Sequence, residues 1–487
     1  MMRGAVSILC LVWAWCCGEA ARGQSPAAEL ARAVADCEQL PAVERSGSRY
    51  LSLYALARED RPRAIAVVSF VLNSVSRSRL LVRPRVVDAT LLRFSLANYT
   101  TNEAERHAWF DAWEELAKVD PYWHLQTEVA IAADSGPRLV AGGGKPAQIR
   151  APAPLQSAAA IRTVTTDGGW VGLQNAARLK ALTGSQGALL RGEWFVEKTA
   201  QPPAYYQFAG IPSTQAAWLK SLGIDAAAID RLRANLGANL VQSNVTSKPR
   251  RVIWQASPLG SVYATLDVER VTADRDFLRR PLSAAGLQAN FDASEWFALS
   301  PNGLWWTALF DKNGQRQDAV PDRIAKDTSD PQADGRVVPM ISCLRCHTES
   351  GLKSFRDDQS TLLGSGVSLF SADPSLTQRV AEFYQADRLQ RQLKFDRETY
   401  AAAVRECTGG QTAEELAAAL AKVVRDEAYR SVTPDQAARE VGVATESFVR
   451  ALRATHDPIL LLLLARRPVL RGQWESSFAE AALENTP

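Results

Sequence analysis

Apolar residues recur at helical spacing along much of the chain and alternate over a shorter central stretch. Residues 28–58 carry alanines and leucines at helical intervals, and 61–76 repeat the pattern behind Pro62, a residue suited to a first helical turn. Val86 to Asn98 alternates in part through Val87, Ala89, Leu91 and Phe94, which predicts a strand. From Glu103 to Val119 the spacing predicts a helix that packs Trp109, Trp113, Leu116 and Ala117 into a core. Residues 215–240 predict another helix. The stretch from Trp296 to Gln315 is aromatic-rich and broken by Pro301-Asn302-Gly303 and Asn313-Gly314, so it predicts a hairpin. Beyond residue 347 the spacing is helical over Leu376–Asp387, Arg397–Cys407, Ala413–Tyr429 and Pro458–Ala482. Thr433-Pro434-Asp435-Gln436 has the form of a helix start, with a capping residue, a proline and a glutamine at the third position. The fold class expected is helix-rich α+β, with strands and a hairpin ahead of residue 343 and a mostly helical C-terminal part.

The chain has 487 residues, which favours more than one folding unit. Ser135 to Gly169 is rich in Gly, Ala and Pro without a steady period and reads as a linker or long loop. The expected division is 1–23 as a signal peptide, 24–134 as an N-terminal α/β domain, 135–169 as the linker, 170–335 as a middle α+β region and 336–487 as a helical domain. The signal rests on Arg3, the largely apolar run Ala5 to Cys17, and the small residues around Ala21-Arg22-Gly23. Cleavage after Gly23 implies a periplasmic or secreted protein. The later apolar run Ile459 to Leu464 is too short to span a bilayer. Formal charge is only +3 and no long basic run occurs, which argues against a nucleic-acid partner.

Removal of residues 1–23 leaves Cys37, Cys343, Cys346 and Cys407. Cys343-Leu344-Arg345-Cys346-His347 has the C-x-x-C-H spacing of covalent haem c attachment. Two sulfurs about one helical turn apart can add across the two vinyl groups of a porphyrin, and the adjacent histidine supplies the proximal nitrogen to iron. A redox disulfide would expect a thioredoxin-like context, and a zinc site would expect a second ligand pair. One such motif is present, so one haem c is expected. For the distal iron position the candidates are His107, His124, His456 and Met340, with a vacant or water-bound iron as the alternative. Cys37 and Cys407 are read either as a disulfide or as two buried thiols. The tryptophans Trp296, Trp305 and Trp306 are read as packing a small sheet, with lining of a haem pocket or electron relay as the alternative.

Several blocks together carry a resemblance. They are Arg49-Tyr50-Leu51-Ser52-Leu53, Val71-Leu72-Asn73-Ser74 and Leu92-Arg93-Phe94-Ser95-Leu96; Asp120-Pro121-Tyr122 after the tryptophan helix; Arg191-Gly192-Glu193-Trp194-Phe195 with Pro202-Pro203-Ala204-Tyr205; and Ser300-Pro301-Asn302-Gly303-Leu304 through Asp318-Ala319-Val320-Pro321 to the haem motif. With these the chain resembles an uncharacterised family of exported single-haem cytochrome c-type proteins of planctomycetes and myxobacteria, from about residue 45 to about residue 480. Where that family usually carries Asn-Gly ahead of the first haem cysteine, Pro339-Met340 stands here. The resemblance implies haem binding and electron transfer with redox partner proteins. A haem enzyme, such as a peroxidase or dehydrogenase subunit, and a haem-based sensor or binding module are the alternatives.

Overall fold

The computed structural model describes residues 26–121, 171–225, 235–243, 245–272, 275–278, 291–328, 335–347, 351–364 and 374–484. The linker expected at 135–169, the signal peptide and His124 lie outside the described residues. The chain is an α+β protein, and its elements are taken in chain order. Helix α1 (Pro26–Glu38) leads to β1 (Ser48–Ser52), α2 (Arg61–Ser74), β2 (Arg85–Val86), β3 (Leu91–Ser95) and α3 (Glu103–Lys118). Helix α4 (Val171–Thr183), β4 (Leu189–Arg191) and α5 (Gly192–Thr199) follow. Six strands come next, β5 (Asn235–Leu240), β6 (Arg250–Ser257), β7 (Gly260–Asp267), β8 (Ala293–Leu299), β9 (Trp305–Asp311) and β10 (Arg316–Gln317). The rest is mainly helical, with α6 (Ile341–Cys346), α7 (Ala386–Thr408), α8 (Ala413–Tyr429), β11 (Ser431–Val432), α9 (Pro434–Val441), α10 (Pro458–Leu464), β12 (Val469–Leu470) and α11 (Arg471–Glu484).

Two sheets organise the body. A four-stranded sheet has the order β2-β3-β1-β4, with β1 antiparallel to β3 and parallel to β4. A six-stranded sheet has the order β10-β9-β8-β7-β6-β5 and is antiparallel throughout. One apolar core runs from Leu51 through Trp113, Phe195, Trp296, Cys343 and Leu420. It joins residues from before position 134, from 170–335 and from beyond 336. A separate small core, from Val432 to Ala481, belongs to the last helices.

Several expected elements need correction. Residues 28–58 are one helix only to Glu38; β1 follows at Ser48–Ser52. All five β1 residues are buried, so the alternation that marks a half-exposed strand is absent. The strand expected over 86–98 divides into β2, β3 and a 3-10 turn at Leu96–Asn98. Asp88 makes the break: its Oδ1 accepts hydrogen bonds from the Thr90 and Leu91 backbone N–H groups. The helix expected over 215–240 stops at Ser221, ahead of Gly223 in the left-handed region, and β5 occupies 235–240. Arg397–Cys407 is the second half of one helix, α7. Pro458–Ala482 is two helices, separated by β12 and by Arg466 at φ +58°. The α3 helix, the hairpin of β8 and β9, helix α8 and the cap at Thr433 follow the sequence reading.

Candidate functional site

The six-stranded sheet fixes one wall of the site through its period of two. The register pairs Leu240 with Arg250, Val252 with Thr265, Thr265 with Glu295, and Tyr263 with Phe297. All these residues therefore share one face of the sheet. They line a cavity of ≈ 330 Å³, closed on its other side by Cys346, His347 and the segment 352–356. That volume lies within the range of about 300–1,000 Å³ common for small-molecule and cofactor sites.

Helix α6 carries the cysteines. It begins at an unusual turn. Met340 has φ +64° and ψ −73°, and the Ile341 N–H donates to the Pro339 carbonyl at 2.9 Å. This is a γ-turn of the rarer, strained hand. Its Met340 N–H is held by Thr307 Oγ1 of β9 at 2.8 Å, so the sheet anchors the helix start. Cys343 and Cys346 are then three residues apart on a helix, with His347 as its C-cap.

Each donor has a defined partner. The buried Cys343 thiol donates to Glu295 Oε1 at 3.4 Å, and burial beside that carboxylate raises its pKa well above the usual thiol value. Cys346 Sγ donates to Asp327 Oδ1 at 3.9 Å. The two carboxylates are held by arginines: Arg250 bridges Glu295 (3.3 Å) and Asp267 (2.5 and 2.8 Å), and Arg345 pairs with Asp327 at 2.8 Å. The His347 ring packs edge-on against Phe297, with centroids 5.1 Å apart. Burial, with Arg250 and Lys353 adding to it, pushes its pKa down to about 4, so the imidazole is neutral at physiological pH. Neutral imidazole is the form that ligates a metal. Its Nδ1 accepts a hydrogen bond from the Lys353 N–H at 3.1 Å, leaving Nε2 as the nitrogen available for coordination.

The donor set fits a covalent haem in kind and spacing. A neutral imidazole bound through Nε2 carries its proton on Nδ1. Seating a haem therefore requires the Lys353 contact to part, and the Cys343 thiol to leave Glu295. Cys346 and His347 line the cavity and Cys343 stands on the same short helix, while of the distal candidates His124 lies outside the described residues. His107 lies exposed on α3, and His456 lies exposed ahead of α10. Met340 is buried at the γ-turn, and none of these three lines the cavity. Among the described residues no group of three or more His, Cys, Asp or Glu side chains is placed to hold a bare metal ion.

The three tryptophans divide between the faces of the sheet. Trp305 lies on the cavity side, edge-on to Tyr263 and Phe297 with centroids 6.0 and 6.4 Å apart. Trp296 packs against Trp218 at 6.0 Å on the other face, and Trp306 lies under the Arg77 guanidinium at 5.4 Å. Cys37 and Cys407 are free buried thiols in different cores. Sequence reasoning missed Glu295, Arg250, Asp267, Tyr263 and Asp327. Glu295 had a signal: an acid inside the apolar strand Ala293–Leu299, which has to find a partner when buried. Arg250 and Asp267 sit at the ends of β6 and β7, where a polar residue raises no alarm, and only their register brings them together. No family model, no curated protein and no solved structure matches this chain.

Proposed function

We propose that the chain is an exported c-type cytochrome-like protein that carries one covalent haem on Cys343 and Cys346, with His347 as the proximal iron ligand, and works in electron transfer with redox partner proteins in the periplasm. The observation that carries this reading is the placement of Cys346 and a neutral, half-buried His347 at one cavity, with Cys343 three residues away from Cys346 on the same short helix. Bound there, the haem would supply a one-electron Fe(III)/Fe(II) couple. Cys343 and Cys346 would fix it, and His347 would present Nε2. Phe297 and Tyr263 would exclude water from one side, and Phe297 would hold the His347 ring by its edge contact. The resemblance to exported single-haem proteins supports the same reading.

A second reading, a haem enzyme or sensor, is favoured by the cavity's lining. Among the described lining residues His347 is the only histidine, and methionine is absent. An iron without a strong sixth ligand binds gases or peroxide. The test is production of the full chain in a host with haem c maturation, followed by spectra of the denatured and native protein. Haem that stays with the denatured chain, and is lost in Cys343→Ser plus Cys346→Ser, supports attachment. A colourless chain with a Cys343–Cys346 disulfide overturns it. Carbon monoxide added to the reduced protein separates the two readings. An unchanged spectrum supports electron transfer, and a rapid shift supports the open-site alternative.

A further inference from the structure

The block Arg191-Gly192-Glu193-Trp194-Phe195 contributes no residue to the lining of the cavity at His347. It meets the small C-terminal core at a buried polar interface. From the body come Arg191 on β4, Glu193 on α5 and Glu427 on α8; from the C-terminal helices come Glu440 on α9, and Arg471 and Glu475 on α11. Arg191 pairs with Glu427 at 2.8 Å and with Glu193 and Glu475 at 3.5 Å each. Arg471 pairs with Glu440 at 2.8 Å and reaches Glu427 at 3.9 Å. The Trp474 indole N–H donates to Glu440 Oε2 at 2.7 Å, and the Tyr54 hydroxyl donates to the Glu440 carbonyl at 2.5 Å. Glu193 is 4% exposed, and its Oε2 has no hydrogen-bond partner.

We propose that this interface is a proton-linked latch, which holds the C-terminal helices against the body when Glu193 and Glu475 are protonated and loosens when both are ionised. The geometry gives the reason. Fully ionised, four carboxylates face two guanidiniums, and each side of the interface carries one uncompensated negative charge. Like charges then confront one another in a largely buried site, where water screens them less than at the surface. One proton on each side removes the excess. Burial, with Glu427 adding to it against the opposing pull of Arg191, raises Glu193 and Glu475 each to about 7. Arg430 and Arg439 face the same cavity as Glu193, and other charges nearby fall in compensating pairs. Lys198 of α5 pairs with Glu197 at 2.8 Å. Lys422 of α8 pairs with Asp426 at 2.5 Å and with Asp60 at 3.7 Å, and Arg63 pairs with Asp60 at 3.5 Å.

A cavity of ≈ 180 Å³ opens beside Glu193, and its wall carries Arg63, Lys422, Arg430, Arg439 and Arg471. Its wall also carries the acids Glu59, Asp60, Asp426, Glu427 and Glu440, so a proton can reach Glu193 from solvent through a polar opening. The sign follows from proton counting. Between the ordinary carboxyl range and about pH 7 the docked state binds more protons than the undocked state, so docking weakens as pH rises through that window and levels off above it.

The test is hydrogen exchange of the full chain from pH 5 to 8.5, corrected for intrinsic exchange, comparing peptides from 434–484 with peptides from α2. Relative protection of 434–484 should fall with rising pH, by up to about tenfold per pH unit for each proton released, and then level off. In Glu193→Gln plus Glu475→Gln the pH dependence should vanish. Should that variant not fold, Glu475→Gln alone, whose side chain is 20% exposed, should reduce the slope by about half. Protection in the wild-type chain that does not change with pH, or a slope unaltered by the substitutions, overturns the latch.

Discussion

Met340 occupies a backbone region that a side chain normally avoids, at φ +64°, while its own side chain is 3% exposed in the main core. Two effects therefore oppose one another at this residue. Loss of the buried side chain should cost about 2–5 kcal/mol, and relief of a left-handed conformation should return about 1–2 kcal/mol. Met340→Ala meets the first without the second. Met340→Gly meets both, so it should be the less destabilised of the two in urea unfolding. An Ala variant equal to or more stable than the Gly variant would show that the turn is not strained. Gly351 is the converse case. It has φ +80°, and a Cβ there would lie 2.6 Å from the Trp305 ring and 2.8 Å from Tyr400. Gly351→Ala should lower the melting temperature clearly, because the added methyl would press on both rings while the Gly351 N–H is bonded to the His347 carbonyl at 3.2 Å.

The elements differ in how plainly the sequence announces them, and the difference has physical causes. Helix α8 matches its expected bounds because its local signals agree: Thr412 and Glu415 form a reciprocal cap, and Leu416 and Leu420 fall on one buried face. The same holds at Thr433 and Gln436. Thr433→Ala should cost about 1 kcal/mol, seen as loosening of α9 by hydrogen exchange before the body unfolds. β1 and β5 were not legible, for a shared reason. Both lie mostly buried, so they lack an exposed face to punctuate the pattern. β5 also depends on Gly237, whose missing side chain makes room for the Phe383 ring. That contact joins residues far apart in sequence and leaves no local trace. The C-x-x-C-H donors were legible because their spacing is a local property. Their carboxylate partners were not, because Glu295 reaches Cys343 only through the register of the sheet. His107, His456 and Met340 do not line the cavity, and spacing alone says nothing about such a distant approach.

At the scale of the molecule two titrations act in opposite directions. Folding holds His347 neutral down to about pH 4, whereas an unfolded chain protonates it near 6.5. The unfolded chain thus binds more protons between these values, and the stability of the chain should fall as pH drops from about 6.5 to about 4. The loss is on the order of 3 kcal/mol from this residue. Urea midpoints should register it in the wild-type chain, and His347→Leu should flatten that part of the profile. Glu193 and Glu475 work in the other sense, since their folded values lie above the ordinary carboxyl value. Their stabilisation is present in acid and is lost as pH rises toward and through about 7. Hydrogen exchange resolves the two by location, because the first acts at the sheet and the second at the last helices.

The pairing of β1 with β4 has a consequence for the order in which the chain can fold. Tyr50 aligns with Leu189, and the Trp113 indole N–H donates to the Gly187 carbonyl at 2.8 Å. A chain emerging from its N-terminus has made β1, β3 and α3 long before it has made the strand that closes their sheet. Until then one edge of β1 presents unpaired backbone groups, a template for another copy of the same segment. A fragment ending near residue 121 should therefore self-associate into β-rich aggregates, and adding the sequence through Thr199 should suppress this. Completion waits on a partner far along the chain, so the slow step in maturation should be closure of this sheet, with the late helices docking afterwards.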